Sequence, residues 1–258
     1  MNIFFYIIIF IIGILFGSFY TLAVYRIPKK QDITHTHSYC PNCNSKLGFF
    51  ELIPVLSYLM LRGRCKHCKE KIRMRYFILE ISSGILFVLF AFALKLNFYN
   101  FNIHNIIFFI FLILYLTFLI LIAGIDKEKN TIEKSVLAYG IIISIMYIVY
   151  LYIIERASIH RYVIYIILFA ILLLAKNIIS KKQKKESYTI GILLLIVIMS
   201  IFTGEITTII AIFATLVELI IYFVINKICN MINKKISIGF FICVSNIISF
   251  LVITNLIA

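Results

Sequence analysis

The run NIIFFIFLILYLTFLILIAG, Asn105 to Gly124, decides the fold class. As a helix it is about 30 Å long, the thickness of a bilayer's hydrocarbon core. It carries no charge and does not alternate between apolar and polar residues, so in lipid only a helix can satisfy its backbone groups. Comparable runs recur on both sides of it, and spans are predicted at about 3–24, 76–95, 105–124, 136–154, 162–180, 188–203, 206–226 and 237–257. With 63% hydrophobic and only 14% charged residues, the 258-residue chain has too little polar surface for a soluble domain, a disordered chain or a coiled coil. The expectation is an all-α polytopic membrane protein of about eight transmembrane helices. The first span lacks the basic flank and small-residue site of a cleaved signal peptide and is expected to be retained.

The charge then gives an orientation. Lys and Arg number 25 against 11 Asp and Glu, a formal net of +14. Eleven of these cations fall in 25–75, three in 126–135, four in 181–187 and three in 227–235, all on one side of the alternating spans. The other side holds only Lys95, Arg156 and Arg161 near span ends. The rich side is therefore expected to be cytoplasmic, with both termini outside. This placement makes membrane lipids, through their anionic headgroups, the expected partner of the positive charge, and no nucleic acid is needed to explain it. The basic tract Lys181–Lys185 reads as one more anchor of this kind.

Segment 25–75 is the long polar stretch and holds all three prolines. In it Cys40-Pro-Asn-Cys43 and Cys65-Lys-His-Cys68 stand 21 residues apart. A two-residue gap lets both thiolates of a pair reach one ion, and two pairs complete the closed tetrahedron of a structural zinc. Disulfides are the competing reading, disfavoured on a reducing side. Four thiolates leave no open position for water, so catalysis at this metal is not expected. No role is assigned to His35, His37 or His67, and Cys229 and Cys243 read as packing residues. The domain plan is thus a first transmembrane helix at 1–24, a cytoplasmic zinc-binding loop at 25–75 and a seven-helix membrane domain at 76–258.

The text flanking the cysteines is specific. Gly17-Ser-Phe-Tyr-Thr-Leu-Ala-Val-Tyr-Arg-Ile-Pro28 precedes them, Glu51-Leu-Ile-Pro-Val-Leu-Ser-Tyr-Leu-Met-Leu-Arg-Gly-Arg-Cys65 joins them, and Arg75-Tyr-Phe-Ile-Leu-Glu80 follows. Over about 13–84 the chain resembles the type IV prepilin peptidase family, the GxGD-type membrane aspartic proteases of the bacterial plasma (inner) membrane. The resemblance implies cleavage of a prepilin or pseudopilin precursor after the glycine that ends its basic leader. It further implies N-methylation of the new terminus from S-adenosylmethionine. Two aspartates would share one proton, one acting as base toward water while the other donates to the scissile carbonyl.

Gly124-Ile-Asp126-Lys-Glu128-Lys-Asn-Thr-Ile132 resembles the family's first catalytic segment, which makes Asp126 the expected catalytic carboxylate. A plain charge or helix cap at a span end is the structural alternative, and Glu133 stands where the family usually has proline. The family's second motif, Glu-x-x-Gly-x-Gly-Asp-x-Lys, aligns with Glu186-Ser-Tyr-Thr189-Ile-Gly191-Ile192-Leu-Leu194. The glutamate and second glycine are kept, but the aspartate is Ile192. The other aspartate of the chain, Asp32, lies in the zinc loop. Of the glutamates, Glu80 matches a family position and is the candidate supporting acid. The expectation is a prepilin peptidase by family, with proteolysis impaired or absent; the alternative function is a zinc-containing membrane protein that binds prepilins or regulates their processing.

Overall fold

The structure is a computed structural model that describes residues 2–35, 37–96, 102–154, 184–228 and 236–257, and seven helical positions within 162–174. Eight α-helices are named here: α1 Asn2–Arg26, α2 Leu56–Met60, α3 Met74–Ala93, α4 Ile103–Lys129, α5 Lys134–Ile154, α6 Lys184–Thr203, α7 Glu205–Ile228 and α8 Ile238–Ile257. Among the described residues six long apolar helices could cross a membrane, over Ile3–Lys29, Met74–Ala93, Ile103–Lys129, Lys134–Ile154, Glu205–Ile228 and Ile238–Leu256, and Tyr188–Thr203 is a shorter apolar helix. The helical membrane class is therefore as expected. Most of the span expected at 162–180, and part of the tract Lys181–Lys185, lie outside the described residues. The contacts divide the chain into two compact units, residues up to Phe109 and Ile110–Ile257.

In the first unit α1 and α3 form an antiparallel pair. A Cβ added at Gly13 would lie 2.7 Å from the Gly84 Cα, and one at Gly17 would lie 2.6 Å from the Glu80 Cα. The backbones approach closely because these positions have no side chains, as in other membrane helix pairs. Tyr20, Phe87 and Phe90 are fully buried along the seam. The segment between the two helices folds over the end of the pair where Arg26 and Met74 stand. It is tied there by Arg26, whose guanidinium donates to the carbonyls of Asp32 at 2.7 Å and His37 at 3.1 Å.

In the second unit α4 is the most enclosed candidate span, with 61% of its apolar window buried. Gly140 of α5 lets the Phe118 ring lie against the backbone, where a Cβ would come within 2.5 Å of it. Tyr115, Phe202 and Tyr147 stack face to face, with ring centroids 4.6 and 4.7 Å apart. Polar pins cross the same interior. The Tyr115 hydroxyl donates to Asn246 Oδ1 at 2.7 Å, Asn246 Nδ2 donates to Thr203 Oγ1 at 3.5 Å, and Thr203 meets Thr208 at 3.2 Å. Such bonds are worth about 0.6 kcal/mol each on average in lipid, but they fix the register of the helices they join. The one-residue connection between α6 and α7 is Gly204 at φ +81°, a conformation that favours glycine.

Candidate functional site

The four loop cysteines come together through a structural repeat. Tyr39 pairs with Lys46 and Arg64 with Lys71 in isolated antiparallel bridges, and each bridge closes a tight turn that carries one cysteine pair. The hydrogen bonds correspond at a constant offset. Cys40 N–H donates to Ser45 O and Asn44 N–H to Cys40 O; Cys65 N–H donates to Glu70 O and Lys69 N–H to Cys65 O. Asn44 and Lys69 both take positive φ, at 55° and 60°, to turn the chain back after the second cysteine. Apart from the cysteines and the bridge lysines, Lys46 and Lys71, the residues of the two turns differ, so the duplication is in the backbone.

All four sulfurs lie within 4.8 Å of one another, with Cys40 Sγ and Cys68 Sγ 3.8 Å apart. Four sulfurs at about 2.3 Å from a tetrahedral ion would be about 3.8 Å apart, so the cluster could hold a metal ion with little adjustment. Cys40 and Cys65 are buried, while Cys43 is exposed. Burial pushes the Cys40 thiol up to about 11. The Ser45 hydroxyl, 3.0 Å away, and then the Ser45 amide draw Cys43 down to about 6. Cys65 is lowered chiefly by the Cys68 amide. Without metal the site is therefore one ready thiolate and one reluctant thiol, and a bound cation would supply the charge that all four thiolates need.

A cleft of about 250 Å³ lies between this loop and the helix pair, lined by Tyr25, Arg26, Tyr39, Glu51, Tyr58 and Glu80 among others. Glu80, only 9% exposed, accepts the Val55 N–H at 2.7 Å. Val55 has φ +63° and ψ −54°, unusual for a β-branched residue, and Leu56 N–H bonds back to Pro54 O. The glutamate proposed as a supporting acid thus holds a strained turn within the first unit.

In the second unit Asp126 sits in the last turn of α4 with no exposed surface. A carboxylate there opposes the dipole of its own helix, and the start of α8 compensates. Asp126 Oδ2 accepts the Phe240 N–H at 3.1 Å and the Tyr188 hydroxyl at 3.0 Å, and that hydroxyl accepts the Gly239 N–H at 3.4 Å. Gly239 permits the approach, since a Cβ there would lie 3.0 Å from Oδ2. Asp126 Oδ1 is buried and has no partner among the described residues.

Tyr188 is the residue sequence reasoning missed. It lies within the degenerate second motif at a position where the family pattern allows any residue, and no feature of the text distinguishes it. Its hydroxyl brings that motif to Asp126. Ile192, four residues later on α6, shares the same helix face, and Gly191 packs on Ile132, with a Cβ there 3.2 Å from it. The described hydrogen bonds of Asp126 come from a phenol and a backbone amide, not from a second carboxyl. The side chain of Glu186 lies outside the described residues.

Comparison with known proteins finds a family model on the first unit and relatives that match about a third of the chain. Residues 11–94 match the family model described as the bacterial peptidase A24 N-terminal domain. A prepilin leader peptidase/N-methyltransferase of Vibrio cholerae serotype O1 is 41% identical over 90 residues, 31% of this chain and 36% of that protein. Those of Myxococcus xanthus and Bacillus subtilis are 40% identical over 83 residues and 42% over 80, covering 32% and 31% of this chain and 25% and 32% of theirs. The matched part thus spans about a third or less of the length of these curated relatives. No solved structure matches the chain. The matches support the type IV prepilin peptidase family for a bacterial membrane protein. The family model covers the segment with the cysteines and Glu80 and ends before Asp126.

Proposed function

With the prepilin peptidase family of residues 11–94 as premise, we propose that this chain engages prepilin or pseudopilin precursors at the inner membrane and that its leader-peptidase reaction is impaired. The observation that carries this is the surroundings of Asp126. The reaction needs two close carboxyl groups sharing one proton, so that one takes a proton from water while the other donates to the carbonyl. Here the aligned partner is Ile192, which can neither hold nor transfer a proton. The group that meets Asp126 is the Tyr188 phenol, which donates a hydrogen bond and is a poor proton donor near neutral pH.

In this reading the cysteine cluster holds a structural zinc through Cys40, Cys43, Cys65 and Cys68 and keeps the loop folded. S-adenosylmethionine-dependent methylation, which the relatives' names include, is part of the proposal only by family. The zinc loop is cytoplasmic and both termini outside, as the distribution of Lys and Arg supports.

A second reading, a working leader peptidase with Asp126 as its one carboxylate, is favoured by Oδ1, a buried carboxylate oxygen with no partner among the described residues and so available to a water admitted with the substrate. Incubation of the purified protein with a leader-bearing prepilin separates the two. Impairment predicts no cleavage by wild type or Asp126→Asn, and a gain in Ile192→Asp. Cleavage by wild type that Asp126→Asn abolishes would overturn it.

A further inference from the structure

The loop of the first unit displays an apolar ridge that no described part of the chain covers. Phe49 and Phe50, packed edge to face with centroids 5.7 Å apart, are 77% and 74% exposed. Leu56, Leu59 and Met60 follow on one face of α2, with Met60 73% exposed. Leu52 is exposed between the two groups. Contiguous apolar surface of this kind outside a membrane span marks an interaction site.

Two observations say what meets it. The first is depth. The amide of Val55, between the two halves of the ridge, bonds to Glu80, six residues and roughly 9 Å along the axis from the start of α3. Tyr58 stacks on Phe77 of the same helix at a centroid distance of 4.9 Å. The ridge therefore lies beside the first turns of a membrane-spanning helix, at the level of the lipid interface. The second is charge. Arg62, Arg64, Lys66 and Lys69 border one shallow groove that begins at Met60, with no acidic residue in its lining. Apolar side chains on one face and clustered cations beside them are what an anionic bilayer surface selects: the former enter the boundary between headgroups and acyl chains, and the latter meet the phosphates.

We propose that residues 49–60 form an interfacial anchor that lies in the membrane surface, with Arg62, Arg64, Lys66 and Lys69 on the phosphates of anionic lipids. The anchor holds the cysteine cluster and the cleft against the bilayer rather than out in solution. It does not depend on the peptidase reading, because neither Asp126 nor any precursor enters the argument.

The chain contains no tryptophan, so one introduced at Phe50 is a clean reporter. The position is exposed, and the substitution leaves the core untouched. Full-length Phe50→Trp is placed in nanodiscs of phosphatidylethanolamine and phosphatidylglycerol, with and without brominated acyl chains. The expected result is blue-shifted emission and about a twofold or greater loss of intensity with brominated lipid. Replacing the four cations by glutamine should remove the dependence of that quenching on phosphatidylglycerol while metal content is retained. Emission at the wavelength of a hydrated indole, quenched by iodide and not by brominated lipid, would overturn the anchor and leave the ridge to a protein partner. Quenching equal in discs with and without phosphatidylglycerol would overturn the role of the cations.

Discussion

Asp126 shows how one side chain can satisfy two requirements at once. Whatever its chemistry, it ties the end of α4 to the start of α8 through Phe240 and to α6 through Tyr188. Removing it should therefore matter to stability as well as to any reaction. In Asp126→Ala the Tyr188 hydroxyl and the Phe240 amide both lose their acceptor, at a cost of about 1–3 kcal/mol. Tyr188→Phe removes the donor to Asp126 and the long 3.4 Å acceptor of Gly239 but keeps the Phe240 N–H bond to Asp126, so its cost should be smaller, about 0.5–1.5 kcal/mol. Thermal unfolding in one detergent, followed by circular dichroism, gives the order; equal melting temperatures for wild type and Asp126→Ala would contradict the cap. The stability and cleavage measurements are independent, so a loss of activity in Asp126→Asn can be separated from a loss of fold.

At the scale of elements, the loop depends on its paired turns and the helix pair on its glycines. A metal held by four thiolates competes with four protons, so its affinity falls as pH is lowered. Near neutral pH Cys43, at about 6, is already a thiolate, and Cys40, at about 11, must give up its proton to the metal. Below about 6 Cys43 also becomes protonated, and retention should fall more steeply there. Metal content after dialysis across this range checks the sign, and a cluster that retains its metal better at low pH would refute it. Changing Cys40 and Cys65 to Ser should release the metal altogether; full retention would exclude the cluster as its site. The helix pair gives a different prediction. Gly17→Val would drive two methyl groups into the α3 backbone at Glu80, where even a Cβ meets the Cα at 2.6 Å. Overpacking of this kind costs about 1–3 kcal/mol and should lower the melting temperature, whereas an unchanged value would mean that α1 and α3 do not pack there.

For the whole molecule, the orientation read from 21 Lys and Arg on one side predicts that Cys43 is reached from the cytoplasm. A membrane-impermeant thiol reagent should leave it unlabelled in intact spheroplasts and label it in chelator-treated inverted vesicles; the reverse pattern would turn the protein over. Much of this molecule was legible in the text because the signals are local. A run of apolar residues long enough to cross lipid must be a helix, wherever it ends up, and two Cys-x-x-Cys pairs specify one ion's coordination sphere. The sequence by itself determined the membrane class, the convergence of Cys40, Cys43, Cys65 and Cys68, the resemblance that pointed to Asp126, and the absence of an aspartate at Ile192. It could not show that Tyr188 reaches Asp126, since that contact joins residues 62 positions apart through the packing of α4, α6 and α8. Nor could it show that Glu80 serves a strained turn at Val55, or that Phe49 to Met60 lie beside a span rather than beyond it. Those relations were decided by tertiary structure alone, because a hydrogen bond or an exposed face depends on which backbones meet, and the residue types at those positions are compatible with many such meetings.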